Sequence, residues 1–218
     1  MSLLNLFGLR KSYSKQEITT IVAITFLDFE ALIDLDGKTA EVIGKYTECL
    51  NKIRTNVPKM GGQISEIDVN FILLFFSEQA IRNHAKLACR TALNIHQFAK
   101  ELNHQYSIEG FPNLRLSAGI HTGQVTVTNE LTNNRSNFRV LGNNVIVAKK
   151  VMRECDKDNE EILISEETIR RLNDGAFFID KKYIDASSPK QGREFSKIKP
   201  YKFKDMENAC STFTAHIA

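Results

Sequence analysis

The stretch 119-GIHTGQV-125, followed at 140-VLGNNVIVAKKV-151 by a second glycine-anchored segment, decides how this chain folds. Apolar and polar residues alternate on both sides of Thr122-Gly123, so 114-LRLSAGIH-121 and 124-QVTVTN-129 read as two strands of a tight hairpin. A polar loop, 129-NELTNNRSN-137, leads to a further strand, 138-FRVLG-142. Asn143 or Asn144 then caps a helix whose apolar face is Val145, Ala148, Val151 and Met152. Beyond it, 161-EILISEETIRRL-172 is a strand whose Ser165 caps a helix.

Upstream, 18-ITTIVAITFLDF-29 is β-branched and almost continuously apolar, the pattern of a strand buried on both faces. Val42, Tyr46, Cys49, Leu50 and Ile53 recur at helical spacing up to Pro58. After the turn signal 61-GG-62, 63-QISEIDVNFILLFF-76 reads as two strands joined near Asp68, and 78–104 as a long helix. Helices between strands imply an α/β sandwich, a mixed sheet covered by helices. We expect one domain over 18–205, an apolar and basic segment at 1–17, and a tail at 206–218.

A chain of 218 residues, 42% hydrophobic and 25% charged, can bury roughly 70% of its unfolded surface without a disulfide or metal staple. The net charge of +3 comes from scattered basic residues, not the stripe that nucleic acid requires, so no nucleic-acid partner is expected. Four cysteines far apart, with no C-x-x-C pair, point to a reduced, cytoplasmic protein. No apolar run reaches the roughly 18 residues of a membrane span. The patch 2-SLLNLFGL-9 reads either as an amphipathic segment that docks peripherally through Leu3–Leu9 or as a disordered terminus. No phosphate loop, nucleophile elbow or metal-spaced histidines occur.

In order and spacing, GIHTGQV, VLGNNVIVAKKV and EILISEET resemble three signature blocks of the class III nucleotide cyclase catalytic domain. The likeness extends back through 61-GG-62 to 20-TIVAITFLDFEAL-32, covering about 18–175. It implies a ferredoxin-like βαββαβ core with a small C-terminal subdomain. It also implies head-to-tail dimers whose active sites are each built from two chains. One chain then supplies two metal-binding aspartates, the other a helix asparagine and arginine.

Setting the family's blocks on this sequence places Thr25 at the first aspartate, Asn70 at the second and Glu66 at a base-selecting lysine. Arg139 falls at the second base-selecting position, and Ile146 and Lys150 at the helix asparagine and arginine. Two Mg²⁺ ions carrying a triphosphate need close anionic oxygens, which Thr25 and Asn70 do not supply. We therefore expect no metal or other cofactor, with Asp28 and Asp68 as fallback ligands. The sequence reading is a catalytically inactive, dimeric or complex-bound scaffold or regulatory module, its protein partner unidentified. Its expected contact surface contains Ile146, Lys150 and His121, and Arg139, Lys149, Lys150 and Arg153 are a candidate anion site. The alternatives are a divergent adenylate or guanylate cyclase using Mg²⁺ or Mn²⁺, and a nucleotide sensor without turnover.

Overall fold

The computed structural model describes residues 13–27, 29, 39–107, 113–132, 135–157, 162–172, 179–180 and 201–203. Asp28, the segment before residue 13 with its Leu3–Leu9 patch, and the expected tail from 206 lie outside them. The described elements run β1 (Tyr13–Leu27), α1 (Thr39–Lys59), β2 (Gln63–Ile67), β3 (Phe71–Ser77), α2 (His84–Ser107), β4 (Arg115–Thr132) and β5 (Arg135–Leu141). They continue as α3 (Asn143–Lys157), β6 (Ile162–Ile164), α4 (Glu166–Ile169), β7 (Ile179–Asp180) and β8 (Tyr201–Phe203).

The first six elements form the βαββαβ core with spatial order β2-β3-β1-β4, and β6, β8 and β7 extend the sheet beyond β4. β1 is antiparallel to both neighbours, while β4 and β6 are parallel, which makes the sheet mixed. The β-branched run in β1 explains its central place: Ile21, Val22, Ala23 and Ile24 are all fully buried. Val22, Ile24 and Phe26 face the core under α1 and α2, and Ile21 and Ala23 face a second core under α3. The helical spacing read in α1 is the buried one, Val42, Tyr46, Cys49, Leu50, Ile53 and Val57. Among the described residues no helix is long and apolar enough to cross a membrane.

Three local expectations fail, the first being the helix read from 78, which begins only at His84. β1 already begins at Tyr13, inside the segment 1–17 expected to precede the domain, and pairs there with the far end of β4. More importantly, there is no hairpin at Thr122-Gly123: β4 runs unbroken from Arg115 to Thr132, with Thr122 opposite Thr20 and Gly123 opposite Thr19. Gly123 is small because the Asn144 side chain lies against it; a Cβ there would sit 2.4 Å from an Asn144 atom. The strand reversal comes later, where β4 and β5 pair up to Thr132 opposite Arg135. Gly119 serves packing in the same way, since its absent Cβ would lie 2.2 Å from the Met152 backbone nitrogen and lets α3 rest directly on β4.

Candidate functional site

A cleft of about 480 Å³ opens where the ends of β1 and the β2–β3 hairpin meet α3. Thr25, Glu66, Asp68 and Asn70 all line it, together with Lys149, Met152 and Arg153 from the helix. Strand alternation brings them together: Thr25 lies on the α3 side of β1 and pairs with Phe71, next to Asn70. Asp68 and Asn70 reach the same cleft from the turn between β2 and β3.

The polar groups of the cleft are largely engaged with one another. The Thr25 hydroxyl donates to the Asn70 carbonyl oxygen at 3.0 Å, and that oxygen also accepts the Phe26 backbone N–H at 2.9 Å. The Asp68 carboxylate accepts the Val69 N–H at 2.8 Å, and its backbone N–H and carbonyl bond Phe71 and the Tyr46 hydroxyl. Lys149 Nζ stands 3.5 Å from Glu66 Oε2 and 4.3 Å from the centre of the Phe71 ring. With both side chains partly exposed, that ion pair contributes at most about 1 kcal/mol. Its main effect is on the field: Glu66 and Asp68 offset Lys149 and Arg153, so the walls carry no net charge.

The residues do not fit a pair of divalent cations. Such ions are held by close anionic oxygens. Here Thr25 and Asn70 offer neutral ones, Glu66 is turned to Lys149, and Asp68 already accepts a backbone bond. Among the described residues no group of three or more His, Cys, Asp or Glu side chains converges on a common point.

The expected cation quartet is divided. Lys149 and Arg153 line the cleft, whereas Arg139 is exposed on β5 and Lys150 faces elsewhere on α3. Neighbouring helix residues point about 100° apart, which separates Lys150 from the cleft-lining Lys149. Ile146 is 49% exposed on the outer side of α3 and does not line the cleft.

His121 is also corrected: it is 4% exposed and belongs to no surface. Its Nε2 lies 3.0 Å from Asn144 Oδ1 and its Nδ1 2.8 Å from Ser165 Oγ, so it fastens the first turn of α3 to β4 and to the N-cap of α4. Burial lowers its pKa, against the smaller raising effects of the Asn144 bond and Glu167. Sequence reading missed the Asn144 clamp. Its only trace was Gly123, too small to exclude the asparagine.

The adenylate and guanylate cyclase catalytic domain family matches residues 13–201. Adenylate cyclase 1 of Rhizobium meliloti (strain 1021) is 26% identical over 147 residues, which are 66% of this chain but only 22% of that protein's length. Among solved structures, the guanylyl cyclase Cya2 superposes with a TM-score of 0.70 at 19% identity, covering 87% of this chain and 92% of that one. The adenylyl cyclase CyaB from P. aeruginosa gives 0.69 at 21% identity, covering 88% and 96%. At those identities the structural likeness is one of fold. The sequence match over most of the chain, laid on a βαββαβ core with a cleft between β1, the β2–β3 hairpin and α3, makes this protein a member of the adenylate and guanylate cyclase catalytic domain family.

Proposed function

We propose that this chain is a catalytically inactive cyclase homology domain that acts through protein contacts, as a scaffold or regulatory module. The observation that carries this reading is the donor set of the cleft, where Thr25 and Asn70 stand at the positions that the family resemblance gives to metal-binding aspartates. Glu66, at the position of a base-selecting lysine, repels a triphosphate and is paired with Lys149. Losing one preorganised charge-stabilising group typically costs about 10²–10³ in rate, and here the metal anchors and the base-selecting lysine are exchanged together. Lys150, at the arginine position, keeps a charge without the planar fork that grips phosphate oxygens in pairs. In this reading the outer side of α3, with Ile146 and Lys150, joins a second copy or a different protein.

The test is direct. Purified protein incubated with ATP or GTP and Mg²⁺ or Mn²⁺ is expected to yield no cyclic nucleotide. Metal-dependent turnover that disappears in Asp68→Ala would overturn the reading in favour of a divergent cyclase.

A further inference from the structure

A chain of buried hydroxyls joins two histidines through the sheet. His84 Nδ1 lies 2.8 Å from Thr20 Oγ1, which lies 2.8 Å from Thr122 Oγ1. Thr122 Oγ1 is 3.0 Å from Thr168 Oγ1, Thr168 Oγ1 is 3.2 Å from Ser165 Oγ, and Ser165 Oγ is 2.8 Å from His121 Nδ1. None of these six residues is more than 4% exposed, so bulk water is excluded as a partner for the chain's hydroxyls.

Counting protons fixes the direction of the bonds. The chain has five links, and its four hydroxyls supply one proton each. The fifth must come from one of the two facing ring nitrogens, and from one only. If neither carries a proton, one link is lost; if both do, one hydroxyl proton has no acceptor in a buried site.

At the His121 end the choice is set from outside the chain. The Asn144 amide nitrogen donates to the Gln124 carbonyl at 2.7 Å, so Asn144 Oδ1 faces the ring and accepts from His121 Nε2. A neutral His121 therefore has a bare Nδ1 and receives the Ser165 proton. The remaining hydroxyls then all point one way, and His84 must donate from Nδ1 to Thr20.

That outcome runs against His84's own surroundings. Its other nitrogen, Nε2, faces Glu78 Oε1 at 3.8 Å, and a carboxylate favours a protonated nitrogen there. Arg171 bonds the same Glu78 oxygen, Oε1, at 2.8 Å, and Glu167 Oε2 stands 3.7 Å from His121 Nδ1, beyond hydrogen-bonding distance. We propose that Thr20, Thr122, Thr168 and Ser165 form a directional relay through which His84 and His121 share a single Nδ1 proton, so that the tautomer of one ring fixes that of the other. The relay links the first turn of α2 to the first turn of α3, which carries the cleft residues Lys149 and Arg153.

Long-range ¹H–¹⁵N spectra of the ¹⁵N-labelled protein above neutral pH read each ring nitrogen separately. His84 is expected as the Nδ1–H form and His121 as the Nε2–H form. Thr122→Val cuts the chain without changing its shape, and frees Thr20 to donate to His84. His84 then moves to the Nε2–H form facing Glu78, while Thr122→Ser retains the wild-type pattern. A wild-type His84 in the Nε2–H form overturns the relay, and so does a folded Thr122→Val protein whose His84 is unchanged. If Thr122→Val does not fold, the wild-type spectrum alone decides.

Discussion

At His84 and His121 the loss of solvation outweighs the neighbouring carboxylates, Glu78 and Glu167, and both rings bind protons more weakly than the ordinary 6.5. The unfolded chain then takes up more protons than the folded one as pH falls through 6.5. Stability from the neutral rings is complete above that value and is lost below it, down to the depressed folded values. Urea unfolding is expected to show a lower free energy at about pH 5.5 than at about pH 7.5, with a smaller drop in His84→Gln. Equal drops in both proteins would show that His84 contributes nothing. Part of the polar side of the cleft was legible at this scale because strand alternation puts Thr25 on one face of β1, whereas Asp68 and Asn70 reach it from the turn between β2 and β3. The fate of His121 was not. A histidine two residues before glycine looks the same in a turn as in a buried strand, and only the distant Asn144 and Ser165 distinguish them.

Between elements, the decisive contact is β4 against α3, and it depends on what Gly119 lacks. An added methyl would meet helix backbone at 2.2 Å, so α3 would have to shift bodily. Overpacking of this kind costs about 1–3 kcal/mol, and backbone cannot yield as a side-chain tip does. Gly119→Ala is therefore expected to lower the urea midpoint by at least that equivalent. Gly44→Ala makes the contrast: it sits in α1 with nothing within 4 Å of its would-be Cβ, and should stabilise by roughly 0.5–1 kcal/mol through helix propensity. If both variants unfold at the wild-type midpoint, the packing account of Gly119 is wrong. Element types were legible where burial is written into composition: the apolar run of β1, the spaced face of α1, the Ser165 cap. The supposed hairpin was not, because a glycine that admits a neighbouring side chain and a glycine that turns the chain leave the same letter.

For the molecule as a whole, the outer side of α3 is where an association would register. Ile146 is half exposed, gaining nothing more in water but roughly 1 kcal/mol when its exposed half is buried against a partner. Wild type is expected to sediment as a dimer at micromolar concentrations, and Ile146→Asp as a monomer that is still folded. Should both be monomers, self-association is wrong, and pull-down with an Ile146→Asp control would seek a different protein. The long strand β4 has a consequence of another kind, one of timing. It pairs with β1 along the full length from Tyr13 opposite Asn129 to Leu27 opposite Arg115. During synthesis at about 5–20 residues per second, β1 waits on the order of several seconds before its principal partner exists. Through that interval this strand, with its fully buried run Thr19–Ile24, has at most β3 beside it, and its other edge stands open to chaperones or to other nascent chains.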